Sequence, residues 1–119
     1  MKINVSSINN RGTYEKEYVS LSVTADCDAG RFLLADTTYN DDGTVSSKLR
    51  HLFWLPDQKV KAGDFIWIHT KAGTVSTNAN KAKTTTHHFY WGLKVSVWND
   101  EGDCAILLHS DEWEFKRVA

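Results

Sequence analysis

Five histidines carry most of the chemistry this chain has to offer: His51, His69, the adjacent pair His87-His88, and His109. An imidazole near neutrality can ligate a metal or move a proton. Metal sites readable from sequence space their ligands so that they converge, as in Cys-x-x-Cys or His-x-x-x-His, and neither spacing occurs here. Adjacent residues in a strand point to opposite faces, so His87 and His88 cannot both hold one ion from a regular strand. His69 and His51 belong to other predicted strands and could meet one of the pair across a sheet. Isolated strand histidines with aromatic neighbours are ordinarily packing residues, so neither a metal nor a cofactor is expected. Acidic residues cluster at Asp41-Asp42 and at Asp100-Glu101-Gly102-Asp103. The second run could offer oxygens to a hard cation, but it lacks the alternating ligands of a calcium loop and reads as a solvated turn. No Ser-His-Asp order with a nucleophile elbow is present, and no feature selects a carboxylate pair for glycoside hydrolysis. A metal-dependent hydrolase would need His69, His87 or His88 to meet carboxylates in a cleft. The expectation is that the chain is not an enzyme.

A second kind of chemistry is electrostatic. Residues 73–86 hold five Thr and two Asn, with Val75 as the one large apolar side chain, and form the longest candidate loop. Long loops often carry function. Lys71 precedes it and Lys81 and Lys83 lie within it, and with His87 and His88 they could make a local positive patch. Tyr90 and Trp91 follow closely and could stack on bases if exposed. Residues 71–88 are therefore the candidate nucleic-acid surface. Against this stands the formal net charge of -1, which gives no attraction to DNA or anionic lipid over the molecule as a whole. Tyr90 and Trp91 are also expected in the core.

The elements that would position these residues are strands. Helical periodicity is almost absent, while alternation over four to eight residues recurs between Gly, Asn and Asp clusters. Val19, Leu21 and Val23 alternate with Ser20 and Ser22. Phe65, Trp67 and His69 share one face of a predicted central strand, and Ile66 and Ile68 share the other. Strands are also expected over 93–98 and as a final hairpin around Ser110-Asp111, running on through 112–118. The pattern predicts one all-β sandwich of about eight or nine strands over residues 1–119, with no repeat and no linker. Five Trp, four Tyr and five Phe suit half-buried pleated surfaces.

At 41% hydrophobic and 24% charged, the composition is that of a globular domain large enough for its own core. Cys27 and Cys104 bracket Trp54, an order seen around the inter-sheet disulfide of antibody domains. Cys27 sits in a turn and Cys104 opens a strand, so two free thiols in a reducing compartment is the expected state. The start, MKINVSSINN, has no apolar run long enough for a signal peptide, and no stretch approaches a membrane span. A cytoplasmic chain is expected.

Two composite motifs give a resemblance. In the first, His51-Leu52-Phe53-Trp54 leads to Val60-Lys61-Ala62-Gly63 and then to an apolar strand from Asp64. In the second, Trp98-Asn99-Asp100-Glu101-Gly102-Asp103 leads to Ala105-Ile106-Leu107. Glu17-Tyr18-Val19-Ser20-Leu21 adds a weaker match. Their order resembles the lamin-tail domain, an immunoglobulin-like β-sandwich, across roughly residues 17–115. Gly63 and Gly102 fall where tight reversals call for positive φ. The resemblance implies a stand-alone bacterial-type binding scaffold. With no rod domain or nuclear localisation signal in the sequence, the nuclear role of lamins does not carry over. Fourteen aromatics are many for one small core, and open sheet edges can pair with other chains. The expected role is a non-catalytic module that binds protein partners, or self-associates, through a sheet edge or an exposed aromatic face. Nucleic acid is the alternative partner, and no membrane association is expected.

Overall fold

The computed structural model describes residues 1–99 and 101–118 and is an all-β sandwich. In chain order the strands are β1 (Ile3–Asn9), β2 (Tyr18–Val23), β3 (Cys27–Asp28), β4 (Phe32–Thr38), β5 (His51–Trp54), β6 (Lys59–Val60), β7 (Phe65–His69), β8 (Ser76–Ala79), β9 (Thr85–Tyr90) and β10 (Asp103–His109). The total is ten because two of them, β3 and β6, are two-residue pieces. One sheet has the order β1-β2-β7-β9-β8, the other β10-β4-β5, and β3-β6 is a small ribbon.

The alternation read from sequence decides which side chains meet. Val19, Leu21, Ile66, Ile68 and Phe89 turn inward from the five-stranded sheet, and Phe32, Leu34 and Leu107 from the other. Their burial between two sheets is the main favourable term for a domain of this kind. Gly63 has φ of 92°, as its turn requires, and a Cβ there would also crowd Thr84. Gly102 does not adopt a positive φ, contrary to the expectation for its turn.

Three stretches depart from the sequence reading. Residues 73–86 are not one long loop: Ser76–Ala79 pairs with the start of β9, and a tight turn with Lys83 at φ 63° joins them. β9 then lies parallel to β7, and parallel neighbours need a connection of this length. Residues 93–98 form no strand, although Val97 and Trp98 are buried and plug the end of the core. Residues 112–118 form no strand either. Trp113 and Phe115 stay exposed there, and Ser110 instead donates its amide to Arg31 O.

One buried acid ties the loops together. Glu17, 1% exposed, accepts from the Gly12 amide on Oε1 at 3.0 Å. Its Oε2 accepts from the Thr70 hydroxyl at 2.5 Å and the Val97 amide at 2.9 Å. It thereby joins the β1–β2 loop, the end of β7 and the plug.

Candidate functional site

The five residues singled out from sequence do not form one patch. Lys81 and Lys83 sit in the β8–β9 turn, at the Thr85 end of the hairpin, while Lys71 follows β7 beside the Tyr90 end. The length of β9 separates them, about 17 Å at a strand's rise per residue. Lys71 instead lies 3.8 Å from Glu15. His87 is 5% exposed and faces inward, where Nε2 donates to Asp64 Oδ2 at 3.0 Å. Its Nδ1 is buried with no hydrogen-bond partner among the described residues. His88 points outward, so the two adjacent rings do lie on opposite faces of the sheet.

On that outward face, cross-strand register gathers aromatic rings. Tyr18 pairs with His69, and His69 with Tyr90, while Trp67 pairs with His88. Tyr18 and Trp67 stack at 4.1 Å, and His69 stacks on Tyr90 at 4.6 Å. His88 Nε2 meets Asn78 Oδ1 at 2.5 Å, and His88 Nδ1 meets His69 Nε2 at 2.9 Å. An amide oxygen only accepts, so His88 carries its proton on Nε2 and His69 donates from Nε2. With both rings neutral, this direction of donation puts the His69 lone pair on Nδ1.

Burial pushes the His69 imidazole down to about 4, helped by the neighbouring His88 and the Lys71 ammonium. Burial, then the charge of His87, also lowers His88. A histidine held below its unfolded value near 6.5 protonates first in the unfolded chain. Its stabilising effect is complete above that value and is lost as pH falls toward 4. The rings are partly open to solvent, and screening trims the effect of His69 to about 1–2 kcal/mol. We expect urea midpoints to fall between pH 7 and 4.5 more steeply for the native chain than for His69→Phe. Equal slopes would show that the pair does not govern acid sensitivity.

The other histidines are similarly occupied. His51 donates its backbone N–H to Asp36 Oδ1 and holds the same oxygen through Nδ1, beside Arg50. His109 lies 3.1 Å from Asp111. Among the described residues no group of three or more His, Cys, Asp or Glu side chains is arranged to hold a metal. Of the acidic run at 100–103, Asp100 lies outside the described residues, and Asp103 binds Arg50 at 2.8 Å. Cys27 and Cys104 lie in β3 and β10 and are not bonded to each other. Among the described residues no helix is long and apolar enough to cross a membrane.

A surface that sequence reasoning did not single out lies on the three-stranded sheet. In cross-strand register its outer face runs Leu108-Leu33-Trp54 and Ile106-Ala35-Leu52. Leu52 and Trp54 are 53% and 49% exposed. Beside this apolar face, β10 is an edge paired, among the described residues, only with β4, in an unbroken seven-residue register. The signal was available: residues 105–108 are apolar at every position, as for a strand covered on both faces. Comparison of the chain with known protein families, with curated proteins and with solved structures finds no match.

Proposed function

We propose that this chain is a non-catalytic interaction module of the immunoglobulin-like, lamin-tail kind, and that it self-associates by pairing β10 with β10 of a second copy. The observation that carries the reading is the unguarded β10 edge. Sheet edges are normally protected by lysine, proline, bulges or short length. The other edges have such protection: β1 is bulged between Val5 and Ser7, while β5 and β8 are four residues long. The sequence of β10, DCAILLH, has neither lysine nor proline, and its register with β4 has no bulge. The tail after His109 turns toward Arg31 and Trp54 and adds no strand to that edge, which lies near β1.

The strand is also self-complementary. Antiparallel pairing about a two-fold axis at Ile106 sets Cys104 against Leu108, Ala105 against Leu107, and Asp103 against His109. Apolar residues then face apolar ones, and acid faces imidazole instead of like meeting like. The two outer faces merge into one apolar surface across six strands. The reading assigns the chain no reaction.

Sedimentation velocity tests it. The native chain is expected to be a dimer at micromolar concentration. Ile106→Lys, which sets two ammonium groups across the axis, is expected to be a folded monomer. A native chain that stays monomeric at every concentration, or a variant that still dimerises, would overturn the proposal.

A further inference from the structure

One cleft beside the C-terminal segment has the makings of a ligand site. It is lined by Trp54, Leu55, Pro56, Asp57 and Trp113 and has a volume of about 410 Å³. The Trp54 and Trp113 rings stand at 88° to each other with centroids 5.1 Å apart, so they form two walls of a corner. Each is about half exposed. Both indoles are anchored. Trp54 donates its ring N–H to Gly30 O at 2.7 Å, and the Arg31 guanidinium covers one face of Trp113, 5.0 Å from its centroid, so a ligand meets that ring only on what remains. Asp57 supplies a carboxylate with no hydrogen-bond or ion-pair partner among the described residues. A Cβ on Gly30 would lie 2.0 Å from Asp57 Oδ1, so the missing side chain is what lets the acid sit there. Among the residues lining this cleft and the adjoining one, Asp57, Asp111 and Glu112 outnumber Arg31.

We propose that this corner binds a methylated ammonium group, the cation shared by choline-type headgroups and trimethyl-lysine side chains. Indole faces attract cations through their quadrupole, and paired aromatic walls suit a cation clad in methyl groups. Such a cation has no N–H and is weakly hydrated, so it needs no set of hydrogen-bond acceptors. A primary ammonium is strongly hydrated and would find one carboxylate here in exchange for its water. The carboxylate offsets the ligand's charge, and the local excess of acid favours its approach. This inference does not rest on pairing through β10.

The test follows the indole N–H resonances of the full chain by NMR during titration with tetramethylammonium chloride. The Trp54 and Trp113 signals are expected to shift and saturate at millimolar concentration, a weak affinity fitting a half-exposed site. The neutral tert-butyl analogue of choline is expected to bind about tenfold more weakly. Trp113→Ala is expected to lower affinity about tenfold, and Asp57→Asn about threefold. Both side chains lie outside the core, and unchanged resonances elsewhere would confirm that the variants fold. Separate titrations with choline and with a trimethyl-lysine peptide distinguish the two sources by affinity. Absence of indole shifts, equal binding of the neutral analogue, or undiminished affinity in Trp113→Ala would overturn the proposal. Ile106→Lys is expected to bind tetramethylammonium as the native chain does, so failure at β10 and failure at this cleft are separable.

Discussion

Replacing Glu17 with alanine is expected to lower the unfolding free energy by about 3–5 kcal/mol, measured by urea denaturation. The carboxylate is 1% exposed, and no lysine, arginine or histidine forms an ion pair with it among the described residues. Neutral donors hold it instead: the Gly12 amide, the Thr70 hydroxyl and the Val97 amide. Each of these would lose its acceptor; Gly12 is exposed and can turn to water, but Thr70 and Val97 are buried, and a buried donor left unpaired costs about 1–3 kcal/mol. The three donors come from separate segments, so the variant also loosens the plug formed by Val97 and Trp98 over the core. Against a total stability of roughly 5–15 kcal/mol, such a loss is large. Glu17→Gln separates charge from connectivity. Its oxygen can keep the Thr70 and Val97 bonds, but its amide nitrogen would then face the Gly12 N–H, donor against donor. We expect it to fall between the native chain and Glu17→Ala. A loss below about 1 kcal/mol for alanine would mean that solvent reaches the three donors once the acid is gone.

Glu17 also shows where sequence reading stops. From sequence it was only the first residue of the strand match Glu17-Tyr18-Val19-Ser20-Leu21, with no partner indicated. Its burial depends on a loop five residues earlier and a plug 80 residues later, and no local pattern encodes those partners. Where a strand buries one face or both, the pattern was legible: the alternation over β7 separates Ile66 and Ile68 from Trp67 and His69 correctly. β8 was missed because Ser76, Thr77, Asn78 and Ala79 are all exposed, so hydrophobic period had nothing to report. Backbone pairing to β9 and the Asn80 bonds to Thr84 and Thr86 hold that strand, not burial. Residues 112–118 failed the other way. Trp113 and Phe115 alternate with charged residues, yet the segment turns away from the β10 edge toward Arg31 and Trp54 and forms no ladder.

The candidate sites divide along the same line. The lysines near residues 71–88 are close in sequence, but β8 lies between Lys71 and the other two and sets them at opposite ends of the hairpin. That His87 and His88 face apart was readable from the backbone period. That His88 meets His69 was not, because it depends on the parallel register of β9 with β7. The apolar outer face of β10-β4-β5 needed the sheet order as well. Leu33, Leu52, Trp54, Ile106 and Leu108 come from three distant segments, and only pairing brings them onto one surface.

Asp64→Ala is expected to cost about 2–4 kcal/mol, the second largest loss. A parallel pair such as β7 and β9 has no tight turn of its own, and Asp64 serves as the pin at its start. Oδ2 accepts from the Lys61 amide and from His87, each at 3.0 Å, and Oδ1 accepts from the Thr85 amide at 3.0 Å. Removing the carboxylate frees the turn before β7 from the first residue of β9 and leaves His87 Nε2 unpaired beside an already unpaired Nδ1. Burial alone would raise the Asp64 pKa, but the Lys61 amide, His87 and the Thr85 amide together outweigh it and hold the acid below its ordinary value. A carboxylate depressed in the folded state stabilises fully above its unfolded value, and that contribution is lost as pH falls through the folded one. Asp64→Asn keeps the shape and removes the titration. Its stability is therefore expected to approach that of the native chain as pH drops below the ordinary carboxylate range, while remaining lower at neutral pH. Parallel stability curves for the two, across that range, would show that the carboxylate's charge plays no part in holding β9 to β7.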